Sequence, residues 1–171
     1  MPTYTVRPAR MADLDRLVDL LLALQDHVEA ANPDLWQMKG DARDQLRSQI
    51  AGRLTASGSC ALVAEHGRDG VVGMIFGRVT TNSRFIPDRT GFVDQLFVRQ
   101  DHRRSRVGSR LVAELCHFFA GEGVDDLSLR YVLGNDEAAG FWQALGFAPR
   151  IVTAGAARQV VEAQLRQTPG L

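Results

Sequence analysis

The chain has 171 residues, of which 45% are hydrophobic and 23% are charged, as expected for one compact globular domain with a substantial core. Its 20 basic and 20 acidic side chains balance, which argues against a protein that coats nucleic acid, because that role needs a broad positive field. No apolar run reaches membrane-spanning length and the first ten residues lack the apolar core of a signal peptide, so we expect a cytoplasmic protein without membrane contact.

The two cysteines carry no sign of catalysis or metal binding. Neither Cys60 nor Cys116 lies in a CxxC pair, and no His/Cys cluster has metal-ligand spacing. Cys116 precedes His117, but neighbours on a helix point to different faces and are poorly placed to cooperate. We predict two reduced, buried thiols and no metal site.

The first third of the chain predicts one strand and two helices. Residues 3–8 alternate weakly, as in a strand, and residues 11–24 carry leucine and valine at helical spacing. Asn32-Pro33 interrupts the chain, and residues 41–55 form a second, more polar helix that Gly58 terminates.

Three strands, at residues 60–65, 71–79 and 91–98, are predicted next. A hairpin turn at residues 66–70 joins the first two, and a polar loop at residues 80–90 precedes the third.

The remaining chain predicts two helices and two strands. Periodicity indicates a helix at Val107–Gly121, a strand at 127–133, a short helix from 134 to about 145 and a last strand at 147–152. Residues 156–167 fit either a helix or part of a strand pair. The order predicts a mixed α/β domain of the α+β type, with one mostly antiparallel central sheet flanked by helices. We expect a single domain over residues 1–171, with its core at about 3–152 and a C-terminal extension at 155–171.

A basic turn between a strand and a helix is the most informative segment. Residues 92–111 read FVDQLFVRQDHRRSRVGSRL, so an apolar strand runs through a basic turn directly into an amphipathic helix. A helix start presents unpaired N–H groups and a positive dipole end, which together bind phosphate. A solvated basic turn that merely precedes a surface helix is the alternative. The turn lacks the GK[ST] of a Walker loop and two glycines of a dinucleotide fingerprint.

A second segment, residues 135–147, reads NDEAAGFWQALGF. Asn135 can cap a helix whose first turn holds Asp136 and Glu137, while Gly146 terminates it. Together the two segments resemble the GNAT superfamily of acetyl-coenzyme-A-dependent N-acetyltransferases, over roughly residues 3–152. The first resembles the family's pyrophosphate pattern, Q/R-x-x-G-x-G/A, and the second its N-x-x-A-x-x-F-Y-x-x-L-G-F motif.

This resemblance implies a GNAT-like fold and a site for acetyl-coenzyme A as co-substrate. It implies that the main chain at Leu96, Phe97 and Val98 pairs with pantetheine, one amide polarising the acetyl carbonyl, and that Asn135 lies near the pantetheine. The acceptor amine would enter beside the two N-terminal helices and the loop at residues 80–90, and transfer would be direct. The pyrophosphate would be held by Arg103, Arg104, Ser105, Arg106, Val107, Gly108 and Ser109.

Two positions depart from the family pattern. Arg106 replaces the first glycine, so either cofactor binding weakens or the Arg106 guanidinium folds over the phosphates. Trp142 replaces the tyrosine that protonates the departing thiolate, and an indole N–H is no useful acid, so packing is the favoured role for Trp142. The acid is then Tyr131, a solvent water, or none.

Asp94 is the predicted general base, since the family's bases often come from this strand; an exposed strand carboxylate is the alternative. Regular alternation would put Asp94 on the face of Leu96, opposite Gln95. His102, among the arginines, is expected to face phosphate or solvent.

The leading functional prediction is acetyl transfer to a primary amine of a small molecule. A protein lysine or N-terminal acetyltransferase and a degenerate acyl-coenzyme-A-binding module are the alternatives, and a homodimer is left open. Glu29, Asp34 and Trp36 could recognise a cationic amine or could form a solvated helix face with one packing tryptophan.

Overall fold

A computed structural model describes residues 3–35 and 37–167. The first of two compact units, Met1–Ala139, contains the whole sheet, and the second, Gly140–Leu171, contains the C-terminal helix. The strands are β1 (Tyr4–Pro8), β2 (Ser59–His66), β3 (Gly70–Thr81), β4 (Arg89–Val98) and β5 (Leu127–Leu129). The helices are α1 (Leu14–Ala31), α2 (Ala42–Thr55), α3 (Val107–Gly121), α4 (Asp136–Ala144) and α5 (Arg158–Gln167).

The five strands form one mostly antiparallel sheet in the order β1-β2-β3-β4-β5. The first four strands are antiparallel neighbours, and β5 runs parallel to β4. The predicted fold class, the three-strand antiparallel block and the helix at Val107–Gly121 are confirmed.

Helices cover the sheet on both faces. Leu17 of α1 and Ile50 of α2 pack with Met74, Phe76 and Phe97 in a core on one face. On the other face, α3 packs so closely that a Cβ at Gly77 would lie 2.8 Å from the Leu115 side chain, and a Cβ at Gly91 would lie 3.0 Å from the Phe119 ring. The absence of a Cβ at these two glycines allows the close approach of α3 to β3 and β4.

The predicted last strand at residues 147–152 is wrong: this segment is irregular. Pro149 has no N–H for a sheet ladder, and Ile151 and Val152 are 88% and 79% exposed. The strand predicted at 127–133 is also shorter, because β5 pairs with β4 over only three residues. Residues 158–167 are helical, which decides between the two alternatives for this segment.

No helix in the two described ranges is long and apolar enough to cross a membrane.

Candidate active site

The β4 strand is paired on both edges over only part of its length. On one edge it pairs with β3 up to Val98, whereas β5 pairs only with Gly91, Phe92 and Val93 on the other. From Asp94 to Val98, therefore, no strand of the described chain occupies the β5 side. Leu96, Phe97 and Val98, predicted to receive the pantetheine, lie in this stretch. An extended ligand can add to such an edge through main-chain hydrogen bonds.

A β-bulge interrupts β4 at Asp94. Phe76 of β3 pairs with Gln95 and Gly77 pairs with Val93, so Asp94 is the extra residue. The guanidinium of Arg53 donates to Asp94 Oδ2 at 2.6 Å and to Gln95 Oε1 at 2.7 Å. Asp94 and Gln95 consequently lie on the same face, and the alternation predicted for them is wrong because the bulge shifts its phase.

Both carboxylate oxygens of Asp94 accept guanidinium hydrogen bonds. Arg53 of α2 holds Oδ2 and Arg78 of β3 contacts Oδ1, while the Asp94 side chain is only 7% exposed. Burial lowers the pKa of Arg53, whose guanidinium also lies 4.7 Å from the centre of the Phe76 ring. The alternative of an exposed Asp94 is thereby excluded. To act as a base, however, the Asp94 carboxylate would have to accept a proton while two guanidinium groups stabilise its ionised form.

The basic turn has a backbone suited to anions. Arg104 and Arg106 both have left-handed conformations, with φ of 59° and 61°. A left-handed residue beside a right-handed one turns successive N–H groups to one side, and Arg106 directly precedes the first residue of α3, whose N-terminus has no side-chain cap. Arg104, Ser105, Arg106 and Ser109 are exposed, Gly108 is half-buried and Val107 is buried, so Val107 anchors the helix start.

Arg103 fastens the turn to its surroundings. Its Nε donates to the Val98 carbonyl at 3.0 Å, and its Nη1 donates to Glu137 Oε2 at 2.6 Å. Its guanidinium carbon also lies 5.5 Å from the Phe97 ring centre. Arg103 thus links the end of β4 to the first turn of α4.

Asn135 caps α4 as predicted, its Oδ1 accepting the Ala138 N–H at 3.0 Å. Tyr131 does not lie on a strand: β5 ends at Leu129, and Tyr131 is half-buried in the irregular segment before α4. In the second unit, Trp142 is buried in edge-to-face contact with Phe141 and Phe147, as expected for a packing residue.

The expected acceptor region is only partly described. Glu29 accepts hydrogen bonds from Gln25 and the Met38 N–H, and both lower its pKa. Asp34 is exposed, and Trp36 lies outside the described residues. A cavity of about 460 Å³ adjoins the β3–β4 loop and is lined by Phe85, Ile86 and Ser128 among others.

The structure also bears on the predictions for His102 and for the two cysteines. The expectation that His102 faces phosphate or solvent is wrong: His102 is buried and contacts the Tyr4 hydroxyl at 3.1 Å. The short 3-10 turn Gln100–His102 directs its ring inward. Cys60 and Cys116 are free and half-buried, and burial raises the pKa of Cys60 to about 11. The Cys116 pKa is raised for the same reason.

Comparison with known families identifies the chain's relatives. The model of the Acetyltransferase (GNAT) family matches residues 21–147, a span that includes α2, α3, α4 and all strands except β1. The chain belongs to this family. Membership in the GNAT family implies acyl-coenzyme-A-dependent acetyltransferase activity in general. No sequence match was found among curated proteins.

Solved structures share the GNAT fold with this chain at low identity. A tetramutant of the BH1408 protein from Bacillus halodurans has a TM-score of 0.79 at 16% identity, covering 90% of this chain and 99% of its own. A predicted acetyltransferase with acetyl-CoA from Clostridium acetobutylicum has a TM-score of 0.72 at 12% identity, covering 98% and 99%. Aminoglycoside antibiotic 6'-N-acetyltransferase AAC(6')-Ih from Acinetobacter baumannii has a TM-score of 0.69 at 17% identity, covering 91% and 99%. These similarities concern the fold.

Proposed function

We propose that this GNAT protein transfers the acetyl group of acetyl-coenzyme A directly to a primary amine of a small molecule. The observation that carries the proposal is the continuity of two surfaces. The β4 edge that lacks a strand partner after the Asp94 bulge leads, through the turn at Arg104 and Arg106, into the uncapped N-terminus of α3. The first surface suits an extended pantetheine arm, and the second suits a pyrophosphate.

The carbonyl of the thioester would lie beside the bulge. A bulge turns one main-chain N–H out of the regular ladder and can aim it at a developing oxyanion. The amine nitrogen attacks the carbonyl carbon and loses a proton, and the coenzyme A sulfur departs with the electrons of the C–S bond. Asp94 is itself the bulged residue, and its carboxylate would take the amine proton directly or through water.

The charges around Asp94 favour an acceptor with an anionic group beside its amine. Arg53 and Arg78 contact the single carboxylate, and both Arg78 and Arg130 lie over the Phe92 ring, at 4.9 and 5.8 Å. Two guanidinium groups on one carboxylate, with a third over the nearby Phe92 ring, leave an excess of positive charge that repels a polycation and attracts a carboxylate or phosphate. We therefore favour an amino-acid-like amine over an aminoglycoside.

The departing thiolate would take a proton from Tyr131 or from solvent water. Tyr131 is half-buried in the irregular segment between β5 and α4. A coenzyme A thiolate is a fair leaving group without an acid, so we expect Tyr131→Phe to change kcat by less than about threefold.

A second candidate function is acyl-coenzyme-A binding without turnover. It is favoured by the engagement of both Asp94 oxygens with arginines, which leaves the carboxylate less available as a base. In that case Asp94 serves only to hold α2 against β3 and β4.

Thiol release from acetyl-coenzyme A tests the proposal. It is measured with matched primary amines that either carry or lack a carboxylate, together with one aminoglycoside. We expect turnover with the carboxylate-bearing amines and a KM raised at least tenfold by Arg78→Gln. Asp94→Asn should lower kcat/KM about 10²-fold with cofactor affinity nearly unchanged. Tight cofactor binding by calorimetry with no turnover of any amine would leave the binding module as the function.

A further inference from the structure

A compact cluster of metal-ligating side chains lies outside the acetyl-transfer site. It is made by His66 at the end of β2, Asp69 in the β2–β3 turn and His102 in the turn after β4. One nitrogen or oxygen from each residue lies within 4.8 Å of the other two. Two imidazoles and a carboxylate form a donor set typical of divalent transition metals such as Zn²⁺.

The distance between His102 and Asp69 suits two ligands of one ion better than a hydrogen bond. His102 Nε2 lies 3.5 Å from Asp69 Oδ2 and also 3.5 Å from Asp101 Oδ2, which is long for a hydrogen bond to a carboxylate. Two ligands of a tetrahedral Zn²⁺ are about 3.3 Å apart when each bond is about 2.0 Å. The separation from Asp69 therefore matches two ligands that share an ion.

His66 contributes a buried nitrogen that lacks a hydrogen bond. Asp69 Oδ2 lies 2.6 Å from His66 Nδ1, but not along the direction of the ring N–H, so this nitrogen has no hydrogen-bond partner in the described ranges. The Asp69 side chain is 42% exposed in a turn, so it can move outward by less than 1 Å to reach a ligand spacing of about 3.3 Å.

The buried Tyr4 contacts the His102 ring on the side opposite the cluster. Its hydroxyl lies 3.1 Å from His102 Nδ1, the ring nitrogen opposite the cluster. A metal-bound histidine usually donates its second ring N–H to an oxygen, which orients the ring and exposes the other lone pair. With Nδ1–H donating to Tyr4, the His102 Nε2 lone pair faces Asp69.

We propose that His66 Nδ1, Asp69 Oδ2 and His102 Nε2 bind one Zn²⁺ ion, with water completing the coordination. The ion would fasten the β2–β3 turn to the segment that immediately precedes Arg103 and the basic turn. It is a structural clip near the cofactor site, and it takes no part in the acetyl-transfer steps proposed above.

The binding test uses the full chain without a histidine tag. Calorimetry with Zn²⁺ should show one site per chain, and Co²⁺ should give the strong visible absorption of a tetrahedral ion. Asp69→Ala changes an exposed turn residue, so the variant should fold normally, yet it should weaken Zn²⁺ binding at least tenfold. Tyr4→Phe should weaken it by about tenfold through loss of the outer contact.

His117→Ala is the matched control. His117 is exposed on α3 with only Glu114 near its ring among the described contacts, so its removal should leave Zn²⁺ affinity unchanged. The proposal is overturned if the wild-type chain gives no tetrahedral Co²⁺ spectrum, or if Asp69→Ala and the wild type bind Zn²⁺ equally. Because none of these measurements involves acetyl-coenzyme A, their outcome is independent of the proposed transferase activity.

Discussion

Replacing Arg106 by glycine should stabilise the fold, although the change removes a whole side chain. Arg106 has φ of 61° and ψ of 13°, a left-handed conformation that costs an L-residue about 1–2 kcal/mol. Glycine avoids that cost, but it lowers the free energy of unfolding by about 0.5–1 kcal/mol because the unfolded chain is more flexible at a glycine. The exposed Arg106 side chain makes no hydrogen bond in the described part of the chain, so little else is lost. The net gain should be about 0.5–1 kcal/mol, or roughly 1–4 °C in Tm.

Urea denaturation that compares glycine with alanine at positions 106 and 113 measures the free-energy cost of the left-handed backbone separately from the loss of the arginine side chain. At position 106, glycine should be more stable than alanine by about 1 kcal/mol, because alanine keeps the left-handed strain. At Ala113, an exposed position inside α3, the order should reverse, with Ala113→Gly destabilising by about 1 kcal/mol. For the cofactor, Arg106→Ala should weaken acetyl-coenzyme A binding more than Arg106→Gly does. Equal stability of glycine and alanine at position 106 would refute the left-handed turn.

Two further predictions concern ionisation. Arg7 donates two hydrogen bonds to Asp13, at 2.8 and 2.9 Å, and thereby lowers the Asp13 pKa. Because the folded pKa lies below the unfolded one, this stabilisation is complete above about pH 4 and is lost as pH falls further. Asp13→Asn should therefore cost about 2–4 kcal/mol in urea titrations at pH 7 and progressively less as the pH falls below about 4, and a pH-independent difference would contradict the ion pair. Since burial raises the pKa of Cys60 to about 11, iodoacetamide at pH 8 should label it about a hundredfold more slowly than an exposed thiol, and unfolding should remove the difference. Rapid labelling of the folded chain would show that burial does not raise the Cys60 pKa.

The helices and antiparallel strands were predictable because each has a local pattern. Leu111 and Leu115 lie one turn apart on α3 and are buried as their spacing predicts. The Asn135 cap was also readable, since a side-chain oxygen at the start of a helix satisfies an N–H nearby in sequence. The false strand at 147–152 shows the limit of this reasoning. Apolar residues such as Ile151 and Val152 predict a strand, but only a partner strand stabilises one, and none is present in the described chain.

The cluster of His66, Asp69 and His102 was missed because most of its contacts join residues distant in sequence. Tyr4 and His102 are separated by 98 residues, and only the antiparallel order of the sheet brings β1, the β2–β3 turn and the segment after β4 to the same end. His66 and Asp69 do have the i, i+3 spacing of a local pair. That spacing is too common in turns to predict a site unless the third ligand is known to be near.

The bulge at Asp94 had the largest effect on the predicted chemistry. Strand alternation assigns faces by counting, and one extra residue reverses every assignment on one side of it. The count placed Asp94 with Leu96, whereas the structure places it with Gln95 under Arg53. A residue that regular alternation would leave as an ordinary strand carboxylate thus becomes a buried group between two arginines. In the proposed site, the same bulge would leave a main-chain N–H beside the acetyl carbonyl without a partner in the sheet. Asp94, whose face strand counting assigned wrongly, therefore lies where the proposed reaction needs an irregular backbone.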